Sequence, residues 1–211
     1  MSAIFSQRNK KMVYLFIAVL GYLLGSVNSA IVLVGLKFHK DVRTVGSGNA
    51  GATNAARTYG SAIGALTLLG DMAKAVVAGL IGYLIAGENG RIVADLFCIV
   101  GHCWPVFFRF KGGKGMAVAA GTLLLLDWKL LILIAAFFVA VFLCWRRVSL
   151  STVLSVLIFP PLYYWTRGGF DLSVALGTVI CVIVVIQHRQ NIKRLFAGTE
   201  PKFSFPSKKT K

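Results

Sequence analysis

The chain alternates long apolar runs with short polar stretches, and this pattern predicts a bundle of membrane helices. Several of the runs are shorter than the ~20 residues that a helix needs to cross a hydrocarbon core of ~30 Å. We therefore expect an all-α integral membrane protein with about seven transmembrane helices, glycine-rich cytoplasmic loops, and short re-entrant or interfacial helices. The seven apolar segments lie at roughly 12–36, 63–86, 92–108, 116–127, 129–145, 150–165 and 171–187.

Composition supports this interpretation. Hydrophobic residues make up 57% of the 211 residues and mean hydropathy is +0.76, whereas only seven side chains are acidic. Such a chain is not an ordinary soluble domain. The first segment is too long for a signal peptide, and further segments follow it. We expect one membrane domain over 1–211, with a core at about 12–198 and a basic cytoplasmic tail at 199–211.

The formal charge of +16 is distributed unevenly between the two sides of the predicted membrane. If the loops after segments one, three, five and seven share a side, that side holds 16 basic residues and the other side holds 6, with Lys74 left inside segment two. Cytoplasmic loops of membrane proteins carry the excess of Lys and Arg. The charge pattern therefore predicts that the polar loops and the C-terminus face the cytoplasm and that the N-terminus lies outside.

The loop "RTVGSGNAGATNAARTYG" at 43–60 is too polar to face lipid and contains four glycines. Glycine lets backbone amides converge on an oxyanion, and a following helix N-terminus adds further N–H donors. The alternative is a flexible turn, which would not need so many convergent amide and hydroxyl groups. The loop therefore predicts an anion site, whose candidate residues are Ser47, Gly48, Asn49, Gly51, Thr53, Asn54 and Arg57.

A second loop, "GHCWPVFFRFKGGKGMA" at 101–117, combines glycines with basic residues. Gly112, Gly113 and Gly115 surround Lys114, an arrangement expected where a backbone approaches a phosphate and an ammonium adds charge. The loop lacks the spacing of a nucleotide-binding Walker A motif. Pro105 is expected to end segment three. His102 is a candidate binding residue, although a helix-end histidine with satisfied hydrogen bonds is the plainer interpretation.

Two further cytoplasmic stretches contribute candidates. Ser149 in "RRVSLST" is a possible hydroxyl donor, and "HRQNIKRLFAGTE" at 188–200 places His188 and Asn191 on one helical face. A basic amphipathic tail on anionic lipid is the alternative for this stretch. Within segment two, Asp71 and Lys74 predict either an ion pair that faces the bundle or the start of a span after a re-entrant helix.

Several chemistries are excluded by what the sequence lacks. Seven scattered acids form no cluster for metal ions, and Cys98, His102 and Cys103 have no fourth ligand, so we expect no metal and no cofactor. No histidine has an aspartate five residues later, and no serine stands in a Gly-x-Ser-x-Gly motif. What remains is a set of anion-binding groups, for which phosphate is the obvious ligand.

Three stretches resemble the signature motifs of the bacterial acyl-phosphate:glycerol-3-phosphate acyltransferases, the PlsY family. They are "GSGNAGATNAAR" at 46–57, "GHCWPVFFRFKGGKGMA" at 101–117 and "HRQNIKRLFAGTE" at 188–200. Motif order, spacing and chain length agree over nearly the whole chain. One departure is Asn28 in "GSVNSA", where a proline is expected in relatives; we expect it to affect helix geometry more than chemistry.

The resemblance implies acyl transfer from acyl phosphate to the 1-hydroxyl of sn-glycerol 3-phosphate, giving lysophosphatidate and inorganic phosphate, the first acylation of bacterial phospholipid synthesis. On that basis, residues of the first motif are expected to hold the acyl phosphate. Arg57, Lys114, Ser149, His188 and Asn191 are expected to hold glycerol 3-phosphate, and Glu200 to brace the third motif through a basic neighbour. We expect a monomer in membrane lipid that binds no nucleic acid.

Two groups could accept the proton that the attacking hydroxyl of glycerol 3-phosphate loses. In the first alternative, a phosphoryl oxygen of the donor accepts the hydroxyl proton while His188 donates a hydrogen bond. In the second, His188 is the general base. Two other functions also remain open: an organophosphate transporter, which would more often carry internal repeats and a site at the membrane midplane, and a non-catalytic scaffold that binds anionic lipid.

Overall fold

Helices dominate the fold, and no strand occurs among the described residues. The computed structural model of the protein describes residues 2–204, with side chains from Asn9 onward. Met1 and residues 205–211, which include most of the predicted basic tail, lie outside the described residues. The α-helices are α1 (Ser2–Ser26), α2 (Ser29–Phe38), α3 (Ala52–Tyr59), α4 (Ser61–Cys103), α5 (Met116–Leu126), α6 (Trp128–Trp145), α7 (Val148–Arg167), α8 (Leu172–Gln187) and α9 (Arg189–Phe196).

The predicted apolar segments lie in these helices, and two short 3-10 helices occur in the loops at Val42–Thr44 and Val106–Phe108. By length and composition, four stretches of the described chain can cross a membrane, and α8 with α9, bent by 61°, would be a fifth. Helix α5 is also apolar, but its 11 residues are fewer than any of these stretches contains. The four stretches are Asn9–Phe38, Ser61–Phe108, Trp128–Trp145 and Val148–Arg167.

Helix α4 contains two of the predicted segments because it breaks in the middle. Ala86 and Gly87 have non-helical backbone angles, and Gly87 has a positive φ of 61°. A Cβ placed on Gly82 would lie 2.4 Å from the carbonyl oxygen of Gly90, so the two arms lie against each other. The break therefore turns α4 into a helical hairpin, and both of its ends reach the side of the bundle that carries the polar loops.

Helix α1 packs directly against the second arm of α4 through glycines. A Cβ on Gly25 would lie 2.1 Å from the carbonyl oxygen of Cys98, and one on Gly101 would lie 2.2 Å from that of Tyr22. Small residues at such crossings let helix backbones approach closely where lipid gives no hydrophobic driving force between helices. This contact fixes the end of α1 beside the end of α4, where the second motif begins.

Asn28 separates α1 from α2 and is fully buried. Its side-chain oxygen accepts a hydrogen bond of 3.0 Å from the amide of Ile31, which caps α2. Its side-chain nitrogen donates to the carbonyl of Ala50 at 3.0 Å. The residue that departs from the expected proline thus sets helix geometry, as predicted, and also ties the helix break to the first motif.

The predicted pair of Asp71 and Lys74 is an ion pair inside the bundle, with the Lys74 ammonium 3.0 Å from an Asp71 oxygen. Lys74 also donates to the carbonyls of Gly25 at 2.9 Å and Val27 at 2.7 Å, which lie where α1 ends. Asp71 accepts from the hydroxyl of Ser29, the first residue of α2, at 2.9 Å. The pair therefore uses its charges to satisfy backbone groups that the break between α1 and α2 leaves free.

The glycine contact between α1 and α4 predicts a sharp difference between two identical substitutions. Gly25→Ala should destabilise the protein by about 1–3 kcal/mol, because the new methyl group would overlap the Cys98 carbonyl and the backbones would have to separate. Gly35→Ala in α2 is the matched control, since a Cβ there meets no atom within 4 Å. Thermal unfolding in detergent should show a lower midpoint for Gly25→Ala alone; equal midpoints would contradict the contact.

Candidate active site

The three motif stretches line one cavity of about 480 Å³ at one end of the bundle. Residues from α3, α4, the 103–116 loop, α7, α9 and the segment after α9 contribute to its wall. Thirteen of the sixteen site residues predicted from the sequence line this cavity: Ser47, Asn49, Gly51, Thr53, Asn54, Arg57, His102, Lys114, Gly115, Ser149, His188, Asn191 and Glu200.

Asn54 holds the first motif in shape. Its side-chain oxygen accepts from the amide of Ser47 at 2.8 Å, and its side-chain nitrogen donates to the carbonyls of Val42 and Val45 at 2.9 and 3.0 Å. Since these bonds are internal and the residue is buried, Asn54 closes the loop around the cavity. This differs from the predicted direct role in holding a phosphate.

The start of α3 supplies backbone donors to the cavity. Its N-cap residue is Gly51, which makes no side-chain capping bond. The first N–H groups of a helix have no intrahelical acceptor, and Gly51, Ala52 and Thr53 all line the cavity. The first motif therefore offers the cavity an uncapped helix N-terminus, a site that favours anions.

Three of the predicted glycines, Gly48, Gly112 and Gly113, do not line the cavity, which corrects their predicted role in binding phosphate. Their amides donate to the carbonyls of Val45, Cys103 and His102, respectively. The two in the second motif are needed for packing, because a Cβ on Gly112 would lie 2.0 Å from the His102 carbonyl oxygen and one on Gly113 would lie 2.2 Å from the His102 ring. These two glycines let the loop dock on the end of α4.

Glu200 organises the third motif. One carboxylate oxygen accepts from the hydroxyl of Ser149 and from the side-chain nitrogen of Asn191, both at 2.6 Å. The other accepts from Arg194 at 2.7 Å, which is the basic neighbour expected for the brace. Burial raises the pKa of Glu200, but these three hydrogen bonds outweigh it and hold the pKa below its ordinary value. Glu200 is therefore an ionised acceptor, and the Ser149 proton is already used.

Lys114 and Arg57 are the cations that face the cavity from the first two motifs. The ammonium of Lys114 donates to the side-chain oxygen of Asn191, whose nitrogen is held by Glu200. Burial lowers the pKa of Lys114 to about 8; Glu200 opposes this shift, and Arg194 and Arg57 add to it. Two cations within electrostatic range of one another create an unfavourable field that an anion in the cavity would relieve.

The two histidines of the site have opposite tautomers. His188 Nδ1 lies 2.8 Å from the carbonyl oxygen of Val184, which can only accept, so Nδ1 carries a proton. In the neutral ring, Nε2 is therefore an acceptor. His102 Nδ1 lies 2.9 Å from the Lys74 ammonium, which can only donate, so the His102 proton is on Nε2. His188 thus offers a lone pair, while His102 links the buried ion pair to the second motif.

The apolar part of the wall comes mainly from α4, α6 and the starts of α5 and α7. Its side chains are Ala65, Leu68, Met116, Ala117, Phe138, Phe142 and Val148. One end of the cavity is therefore polar and cationic, and the other is lined by hydrocarbon. Within the described part of the chain, no group of three or more His, Cys, Asp or Glu side chains could hold a metal ion.

Sequence reasoning missed several residues of the wall. Arg194 lies three residues after Asn191, so the helical spacing of the third motif could have indicated it. Thr152 is the last residue of the "RRVSLST" stretch, about one helical turn after Ser149, and could have been found in the same way. Pro201 and Phe203 gave no signal, because they follow the last motif and belong to no periodic pattern.

The sequence matches a known family over most of its length. The model of the family described as glycerol-3-phosphate acyltransferase matches residues 15–198. A glycerol-3-phosphate acyltransferase of Nitrobacter winogradskyi is 41% identical over 180 residues, which cover 85% of this chain and 91% of that protein. One of Syntrophotalea carbinolica is 40% identical over 186 residues, covering 86% and 93%.

Solved structures agree with this relationship. The crystal structure of PlsY (YgiH), an integral membrane glycerol 3-phosphate acyltransferase, in its glycerol 3-phosphate form has a TM-score of 0.84 and 34% identity, and covers 90% of this chain and 96% of that one. Its lysophosphatidic acid form has a TM-score of 0.82 and 32% identity, covering 90% and 95%. The predicted all-α membrane fold is thereby confirmed, and the protein belongs to the glycerol-3-phosphate acyltransferase family of integral membrane enzymes.

Proposed function

We propose that the protein transfers the fatty acyl group of an acyl phosphate to the 1-hydroxyl of sn-glycerol 3-phosphate. The hydroxyl oxygen attacks the acyl carbonyl carbon, the bond from that carbon to the phosphate oxygen breaks, and lysophosphatidate and inorganic phosphate are formed. The observation that carries this proposal is the shared cavity, in which two cations, an uncapped helix N-terminus and an apolar wall meet. That combination suits two phosphates and one hydrocarbon chain.

The two phosphates would use different parts of the polar end. Lys114 and Arg57 would hold the phosphate of glycerol 3-phosphate, with Asn191 orienting the Lys114 ammonium. The acyl phosphate would bind at the start of α3, where the amides of Ala52 and Thr53 and the side chains of Ser47 and Asn49 are available. These groups would also stabilise charge that develops on the carbonyl oxygen and the leaving phosphate.

The apolar wall would receive the fatty chain. Burial of each methylene contributes about 0.8 kcal/mol relative to water, but the chain would gain most of this in lipid as well. The wall formed by Leu68, Phe138 and Phe142 therefore serves mainly to place the carbonyl carbon beside the polar end. A mixed anhydride is already activated, so correct placement supplies much of the rate enhancement.

His188 is the group that we propose to accept the hydroxyl proton. The hydrogen-bond donor role expected from the sequence would need a proton on Nε2, whereas the bond from Nδ1 to Val184 leaves Nε2 with a lone pair in the neutral ring. A second proton would place positive charge on a buried ring close to the Lys114 ammonium, so the resting ring is neutral, and the charged ring formed by proton acceptance is a short-lived state that gives its proton up readily. The geometry therefore supports the general-base alternative, after which the proton passes to the departing phosphate.

We also propose that the cavity faces the cytoplasm, in a bacterial inner membrane, with the C-terminus on the same side. The excess of basic residues in the loops that carry the motifs supports this orientation. The opposite turns are close to one another, since Glu88 beside the α4 break is within electrostatic range of Arg167 and Asp171 between α7 and α8. A single chain supplies every wall of the cavity, which supports activity as a monomer.

The reaction itself is tested with purified protein in detergent or lipid vesicles. Palmitoyl phosphate and glycerol 3-phosphate should yield lysophosphatidate and inorganic phosphate in a one-to-one ratio, measured by mass spectrometry and a phosphate assay. Palmitoyl-CoA in place of palmitoyl phosphate should give no product, because the proposal needs the donor's phosphate at the start of α3. Product from the CoA thioester alone would reject the proposed donor.

The role of His188 is tested by replacing it with glutamine. His188→Gln should lower kcat by at least about a hundredfold, because a positioned general base contributes this much or more. The Kd for glycerol 3-phosphate, measured by calorimetry, should change by no more than about twofold, because the phosphate is held by other residues. The control is His39→Gln, which alters an exposed histidine outside the cavity wall. Near-normal activity of His188→Gln would instead assign the proton to the donor's phosphoryl oxygen.

The pKa of Lys114 predicts how kcat/KM for glycerol 3-phosphate falls at alkaline pH. The lysine is charged below its pKa of about 8 and neutral above it, so kcat/KM for glycerol 3-phosphate should fall above that pH by ~tenfold per unit. A lysine with an ordinary pKa would leave kcat/KM flat to about pH 9.5. In Lys114→Arg the guanidinium stays charged, so its profile should lose this alkaline limb. An unchanged limb in that variant would show that another group titrates.

A further inference from the structure

The segment after α9 crosses the cavity and is fixed at two points. At its start, the amides of Thr199 and Glu200 donate to the carbonyl of Arg194, and the Glu200 carboxylate holds the third motif. Further on, the amide of Phe203 donates to the carbonyl of Arg146 at the end of α6, at 2.6 Å. The family match ends at residue 198, so this second anchor lies outside the sequence that defines the family.

The ring of Phe203 is held between α6 and α3. Its edge-to-face contact with Phe142 has a centroid distance of 6.0 Å and an interplanar angle of 66°. The Arg57 guanidinium lies 5.6 Å from the centroid of the same ring. Both Phe203 and Arg57 line the cavity. The ring therefore lies where the apolar wall meets the cationic end. It directly contacts Arg57, the residue proposed to bind a phosphate.

A ring is an unusual partner for a cation that has to bind a substrate. Among the described residues, no carboxylate pairs with Arg57 and no hydrogen bond uses its guanidinium, which contacts the Phe203 ring. An acidic partner would neutralise the charge and occupy N–H donors, whereas an aromatic face attracts the cation and occupies none of them. A free arginine samples many rotamers, and ordering it on binding costs conformational entropy.

We propose that Phe203 is a positioning residue for glycerol 3-phosphate, which orients Arg57 before the substrate arrives. The inference rests on the proposed function, in which Arg57 holds the phosphate of that substrate. The ring restricts the guanidinium to one orientation and leaves its N–H fork free for a bidentate contact with phosphate. Phe203 takes no part in the bonds that form or break during the reaction. Its effect should therefore be confined to the affinity for glycerol 3-phosphate.

The test compares three substitutions in the full chain. Phe203→Leu keeps an apolar side chain against Phe142 but removes the aromatic face. It should raise KM for glycerol 3-phosphate roughly fivefold to tenfold, the range of a partly buried cation–π contact. The kcat value and KM for palmitoyl phosphate should stay within about twofold. Phe203→Tyr should restore the wild-type KM, and Lys202→Ala, an exposed neighbour in the same segment, should match wild type throughout.

A double-mutant cycle isolates the contact with Arg57. Calorimetry without acyl donor should show a weaker Kd for glycerol 3-phosphate in Phe203→Leu by the same factor as KM. In an Arg57→Met background, Phe203→Leu should cause no further loss of affinity, because the cation that it orients is absent. Equal losses in both backgrounds, or a fall in kcat with unchanged KM, would overturn the positioning role.

Failure of the proposed function is distinguishable from failure of this inference. If wild-type protein makes no lysophosphatidate from palmitoyl phosphate, the proposed donor is wrong. The binding measurements still decide whether Phe203 acts through Arg57, because they need glycerol 3-phosphate alone. Wild-type activity combined with an unchanged Kd in Phe203→Leu would reject the inference and leave the reaction standing.

Discussion

The buried ion pair of Asp71 and Lys74 is the interaction on which the site depends. Charges at membrane depth are costly unless they are paired and hydrogen-bonded, and here each charge also satisfies backbone or side-chain groups where α1 gives way to α2. Lys74 reaches His102 at the end of α4, and the second motif docks on the carbonyl and ring of that histidine. One pair therefore joins both arms of α4, the break between α1 and α2, and the loop that carries Lys114.

The acidic and basic side chains of the cavity differ in their partners. The two acids are hydrogen-bonded or paired with other groups of the protein, whereas two of the cations face the cavity. Glu200 accepts three side-chain hydrogen bonds, and Asp71 is paired with Lys74. Lys114 is oriented by an amide oxygen and Arg57 by a ring, neither of which removes charge. The repulsion between these cations would be relieved by an anion in the cavity, which in the proposed function is the phosphate of the substrate. In the proposed function, the apolar wall beside these cations would place a hydrocarbon chain and a phosphate within the same cavity.

The structure brings the three motif stretches to one cavity, but individual residues within them differ in whether they line it or pack against other parts of the protein. Glycine serves equally well where a backbone binds phosphate and where two backbones must touch, so the pattern around Lys114 could not separate Gly115, in the wall, from Gly112 and Gly113, which pack on His102. Asparagine and serine side chains can likewise hydrogen-bond either to a substrate or to other groups of the protein. Asn54 and Ser149 make internal bonds. His188 was identified from its spacing with Asn191, but its tautomer depends on the Val184 carbonyl one turn earlier.

The sequence alone determined that the protein is a helical membrane protein, because hydropathy is a property of the chain itself. Charge asymmetry and clustered glycines are also properties of the chain, and they predict an anion site on one side. The sequence also determined the family, since three long motifs in the right order are specific. The tertiary structure alone decided which polar atoms remain available to a substrate, that α4 folds back as a hairpin, and that Phe203 lies over Arg57. These depend on which groups meet after distant segments pack together: a hydrogen bond or a ring contact is a matter of distance and direction, and neither is encoded in the spacing of residues along the chain.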